Sequence, residues 1–129
     1  MSAPLPPFCA GQLWTYAHRP GEERSRVRIL LAETLPVLGE VVHVRVEGLR
    51  MRNPHAKTGF SKVIGHMPFA ADAVRQSMSE LLGEQPLPDD WRDGYDTWRT
   101  AFDAGQAGVY SIPLAETVEI TEQALARPG

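Results

Sequence analysis

Glu40-Val41-Val42-His43-Val44-Arg45-Val46-Glu47 is the stretch on which the fold turns. Val42, Val44 and Val46 alternate with His43, Arg45 and Glu47, and successive strand side chains point to opposite faces, so the pattern predicts a half-buried strand over 40–51. Working outward, the turn at 36–39 joins it to a strand over 25–34. Another strand is expected over 12–17, where Leu13, Trp14, Thr15 and Tyr16 favour a pleated surface. His18-Arg19-Pro20-Gly21-Glu22-Glu23 is rich enough in turn formers to make these two a hairpin. After a cation-bearing loop over 50–62, residues 62–69 predict a short fourth strand ended by Pro68.

The period then changes. Ala70, Val74, Met78, Leu81 and Leu82 share one helical stripe, with Gly83 placed as a left-handed helix end. Beyond a linker over 84–88, Asp89 or Asp90 is a candidate N-cap, and Trp91, Tyr95, Trp98 and Phe102 recur at helical spacing. Arg92 with Asp96 and Arg99 with Asp103 stand four apart, while Gly94 inside the helix costs about 1 kcal/mol relative to Ala. Gly105 and Gly108 close it, Val109-Tyr110 suits a very short edge strand, and Pro113 opens a last helix carrying Leu114, Val118, Thr121 and Leu125. Strands followed by helices predict an α+β fold: a curled antiparallel sheet of four to five strands with three helices packed on one face.

A chain of 129 residues with 43% hydrophobic and 22% charged side chains can bury one real core, which excludes the disordered and fibrous classes. One domain over 1–129 is expected, its proline-rich residues 1–10 forming a loose arm. Cys9 has no thiol to pair with, which suits a reducing, cytoplasmic setting, and beside Phe8 it reads as a small covered apolar residue. The start lacks the basic and apolar regions of an export signal, and no apolar run approaches the ~18 residues a membrane helix requires, so no membrane partner is expected.

The overall charge of −3 hides a split. Residues 1–71 carry nine basic and five acidic side chains, and residues 72–129 carry four and eleven. Within 45–66, Arg45, Arg50, Arg52, Lys57 and Lys62 accompany Glu47 alone among acids, an arrangement suited to phosphate because clustered Lys and Arg supply most non-specific affinity for nucleic acid. Arg50, Arg52, His55 and Lys57 are the candidate anion contacts. On the acidic side, Asp90, Asp93, Asp96 and Asp103 ring the aromatic helix and are candidates for docking a basic protein.

His18, His43, His55 and His66 invite a zinc reading, but no metal-ligand spacing joins them, so no metal or cofactor is expected. Cys9 with His43 or His66, and Ser61 with His66, are possible nucleophile and base pairs, yet neither lies in a nucleophile elbow, and Gly59 and Gly65 make no phosphate loop. A non-enzymatic protein is therefore expected; an unrecognised acid–base site would have to use His43, His55 and His66.

Arg52-Asn53-Pro54-His55-Ala56, Ile64-Gly65-His66-Met67-Pro68-Phe69 and Gly108-Val109-Tyr110-Ser111-Ile112-Pro113-Leu114-Ala115-Glu116 resemble stretches in a group of small uncharacterised bacterial proteins spanning most of this chain. Small acidic bacterial proteins of this kind include immunity proteins for secreted toxins, so the resemblance implies a protein-binding module, an inhibitor or an immunity protein, and assigns no residue a role. Anion or nucleic-acid binding through 45–66 is the alternative.

Overall fold

The computed structural model describes residues 7–127. In chain order the elements are β1 Gln12–Tyr16, β2 Arg26–Leu35, β3 Gly39–Glu47, β4 Met51–Arg52, β5 Phe60–Ser61, β6 Ile64–Ala70, α1 Ala71–Ser77, β7 Met78–Glu84, α2 Trp91–Asp103 and α3 Leu114–Leu125. Five strands form an open antiparallel sheet in the order β6-β3-β2-β1-β7, and β4 with β5 makes a separate two-stranded ribbon. The fold is α+β as the sequence predicts. Among the described residues, no helix is long and apolar enough to cross a membrane.

β3 organises the molecule because it is buried on both sides over half its length. Val42, Val44 and Val46 enter a core with Trp14, Ile29, Phe69, Val74, Leu114 and Val118, which brings α1 and α3 to that face. Val41 enters a second cluster with Leu35, Tyr95 and Trp98, which brings α2 to the other. The expectation of helices on one face is thereby corrected: the polar face of β3 turns to water only at Arg45 and Glu47, and its first half lies beneath α2. α2 ends as Gly105 predicts. That residue has φ +74°, and the Gly105 and Gln106 amides bond to the Phe102 and Ala101 carbonyls, which satisfies the last turn.

Three further expectations are revised. The helix predicted through Leu82 stops at Ser77, and Met78–Glu84 instead pairs with β1, Tyr16 opposite Met78 and Gln12 opposite Glu84. Met78, Leu81 and Leu82 fit either period, and the otherwise unpaired edge of β1 decides for the strand. Gly83, at φ +145°, sits in that irregular edge strand and caps no helix. Within the predicted loose arm, residues 1–6 lie outside the described residues, and Phe8 is buried edge-on against Trp14 at 5.6 Å. Cys9, expected to be covered, is exposed.

β6 runs through Pro68 to Ala70. Proline is tolerated because its ring nitrogen faces away from β3, the side on which its carbonyl accepts the Tyr110 amide. Tyr110 thus forms a single parallel bridge beside Phe69 in place of a short strand. Asp90 stands at the N-cap position of α2 without a side-chain cap bond, while the Leu114 amide at the start of α3 is capped by the Ser77 hydroxyl.

Candidate functional site

Two of the four histidines meet. His43, fully buried on β3, has Nδ1 2.9 Å from His66 Nε2 and Nε2 2.7 Å from Glu33 Oε2. The sheet achieves this with two irregularities. In β2 one extra residue falls between Ile29, opposite Val44, and Leu31, opposite His43, so Leu31, Glu33 and Leu35 turn from the α1 and α3 face to the α2 face. In β6 two residues, Gly65 and His66, oppose the single Arg45 of β3, between Met67 opposite Val44 and Ile64 opposite Val46, so His66 lies within a bulge.

α2 closes over the pair. The Tyr95 hydroxyl and Arg99 Nη1 both donate to Glu33 Oε1 at 3.2 Å, and the Tyr95 and Trp98 rings stand edge-on to His43 at 4.8 and 4.9 Å. Gly94 permits the approach, since a Cβ there would come within 2.7 Å of His66 Cβ. The network fixes the tautomers. A carboxylate can only accept, so His43 carries its proton on Nε2; His43 Nδ1 then accepts from His66 Nε2–H, leaving His66 Nδ1 as the free lone pair. Burial lowers the His43 pKa against the opposing pull of Glu33, and burial with the neighbouring His43 pushes His66 down to about 4. Both rings are neutral at pH 7. Burial, then the Glu33 carboxylate, raises the Tyr95 hydroxyl, which stays a donor.

The other histidines stand apart: His55 bonds to the Arg127 carbonyl and His18 to that of Arg19. Ser61 Oγ accepts from Asn53 rather than facing His66. Among the described residues, no three His, Cys, Asp or Glu side chains converge as metal ligands.

A different site lies at the far end of the same strands. The turn before β2, the residues after β3 and the approach to β6 enclose a half-open cavity of about 550 Å³, with Leu49 and Phe60 among its apolar lining and Arg24, Arg50 and Lys62 among its cations. The Arg50 guanidinium lies 5.2 Å from the Phe60 ring centre. Glu22 and Glu23 also line the cavity; Glu23 accepts the Gly21 amide at 3.2 Å, while the charge of Glu22 is spent inward, where Arg19 grips both carboxylate oxygens at 2.8 and 2.9 Å and the Arg50 amide donates at 2.6 Å. Arg19 also reaches Glu119 and Glu122 of α3 at 2.7 and 2.9 Å, and the Glu22 bond above all raises its pKa. Burial works to raise Glu122, but the Arg52 amide and Arg19 outweigh it and hold this carboxyl below the usual range. Arg24, Arg50 and Lys62 have no ion-pair partner among the described residues.

Of the four candidate anion contacts, only Arg50 lines this cavity. Arg52 joins α3 through its backbone amide, His55 is tied to Arg127, and Lys57 is exposed on the turn between β4 and β5. Arg24 was hidden in a segment readable only as a turn. Of the four acidic candidates, Asp103 pairs with Arg99 at 3.1 Å and Asp96 reaches Arg92 at 3.9 Å, while Asp90 and Asp93 are exposed without a cation partner among the described residues. The two charged halves therefore meet through Arg19 and α3, whereas the acids of α2 and the basic cavity lie toward opposite ends of the strands.

Compared with known proteins, the chain matches no family model, no curated protein and no solved structure.

Proposed function

We propose that the chain is a non-enzymatic, cytoplasmic binding module whose working surface is the basic cavity, and that it takes a phosphate-bearing ligand, nucleic acid included. The observation that carries this is the convergence of Arg24, Arg50 and Lys62, none with an ion-pair partner among the described residues, on one cavity whose two carboxylates do not offset them: Glu22 is already held by Arg19, and Glu23 alone, accepting from the Gly21 amide, stands against three cations. Cations left unpaired around a partly apolar hollow favour an anion that has an apolar body. Titration of the protein into short fluorescein-labelled RNA and DNA tests it. Binding should weaken steeply as salt rises, and Arg24→Ala, Arg50→Ala and Lys62→Ala should each reduce affinity about threefold to tenfold. A flat titration at low salt sinks it.

A second proposal is a protein partner, of the kind an inhibitor or a toxin-immunity protein has, docking on α2. It is favoured by Asp90 at the start of α2 and Asp93 within it, both exposed and without a cation partner among the described residues, beside Asp96 and Asp103. Capture of a basic partner at low salt that survives Arg50→Ala but is lost on reversing Asp90 and Asp93 to Lys would select it over the first.

A further inference from the structure

The polar attachment of α2 to the sheet is concentrated at one carboxylate. Glu33 receives Tyr95 and Arg99 from the helix on one oxygen and His43 on the other, and His43 in turn holds His66. The remaining cover is aromatic, Tyr95 and Trp98 over both imidazoles. Facing the imidazoles are Glu33 from β2, Arg45 next along the same face of β3, and Tyr95 and Arg99 from α2, with Asp103 behind Arg99. Among the described residues Glu33 is the single carboxylate in contact with them, and it is shared with Arg99. The helix stands between the linker over 85–90, which follows β7, and the left-handed Gly105, so it can move without unpicking a strand.

We infer that the His43–His66 pair is an acid-sensitive latch: protonation of the pair releases α2 and its aromatic stripe from the sheet while the core under α1 and α3 stays folded. The 2.9 Å gap between His43 Nδ1 and His66 Nε2 holds one proton. If both imidazoles become cations, two N–H groups point at each other with no acceptor between them, and two positive rings stand beside the partly exposed Arg99, which shares Glu33 with them. A single added proton can sit on His66 Nδ1 without breaking that bond, but its charge is then desolvated beneath Trp98. The direction in pH follows. His66 lies near 4 when α2 is docked, below the ordinary 6.5, so the undocked form binds more protons between those values and docking weakens as pH falls through that window. Among the described residues His43 is the one fully buried histidine, and it lies on the α2 face, so the core under α1 and α3 buries no imidazole.

Trp91 and Trp98 ride on α2, and Trp14 is fully buried in the other core, so the intact chain carries its own reporter. Lowering pH from 7 to 4 should shift tryptophan emission to the red and increase iodide quenching while the far-ultraviolet β signal persists. His66→Gln, whose amide can still donate to His43 Nδ1 but does not titrate, should move that transition down by about one pH unit or more. An unchanged midpoint in the variant, or emission and β signal lost together, overturns the inference. Should the variant fail to fold, proton NMR of the unmodified chain decides. The Trp98 indole N–H, bonded to the Gly108 carbonyl, should shift in step with the histidine ring protons below pH 6.5. An indole signal that stays fixed while the rings titrate overturns it equally.

Discussion

Gly94 of α2 rests on His66 of β6 so closely that a single added methyl would lie 2.7 Å from the His66 Cβ. The obstructing atom is bonded to strand backbone and cannot swing aside. Helix propensity alone favours Ala over Gly by about 1 kcal/mol, so the two effects oppose each other. Gly94→Ala should nevertheless destabilise the protein, by about 1–3 kcal/mol, because overpacking a buried contact lifts the whole helix. Urea unfolding measures it, and a stabilised variant would mean that α2 does not pack this closely.

That glycine shows where the sequence was legible and where it was not. β3 and α2 announce themselves because their periods are local: alternate valines in one, aromatics at three and four in the other. Gly94 could be counted only as a cost, since its benefit lies on a strand distant in sequence. Glu33 was invisible as a site residue because straight alternation from Val27 and Ile29 would send it to the α1 face, and the bulge at Leu30 re-aims it. His43 and His66 were both named, but their meeting depends on β3–β6 register. β7 was missed because a shared hydrophobic pattern was settled by a vacant strand edge, a property of the assembled sheet.

Arg19 should matter more to stability than any other cation in the chain. It is only 15% exposed and its partner Glu22 only 2%, so Arg19→Ala leaves a buried carboxylate with its best partner gone. A loss of about 3 kcal/mol is expected, the usual consequence of breaking a buried pair from one side. Arg92→Ala provides the contrast, because the Arg92–Asp96 contact is 3.9 Å long with both side chains 63% exposed. That substitution should change stability by less than about 0.5 kcal/mol. Chemical denaturation of the two variants side by side distinguishes them.

Val37 at the β2–β3 turn has φ +72° and is fully exposed, a left-handed conformation that a β-branched side chain resists. The Leu38 amide bonds to the Pro36 carbonyl across it, so the turn geometry imposes the strain. Val37→Gly should relieve it and Val37→Asn partly so. Glycine's added freedom in the unfolded chain offsets some of the gain, leaving about 0.5–1 kcal/mol of stabilisation readable as a higher melting temperature. A lower melting temperature in both variants would contradict the strained turn.

Lys57 and Lys62 separate the cavity from the loop that merely carries charge. Both are exposed, yet only Lys62 lines the hollow with Arg24, Arg50 and Phe60, while Lys57 sits on the turn beyond it. If affinity came from net charge alone, either Lys→Ala change would weaken labelled RNA binding equally. If the cavity holds a phosphate, Lys62→Ala should weaken binding and reduce the slope of log affinity against log salt by about one, while Lys57→Ala leaves affinity within about twofold. Phe60→Leu adds the remaining discrimination: it keeps every charge and removes the aromatic surface, so it should lower affinity with the salt slope unchanged. Equal losses for Lys57→Ala and Lys62→Ala would move recognition out of the cavity and onto the diffuse basic surface.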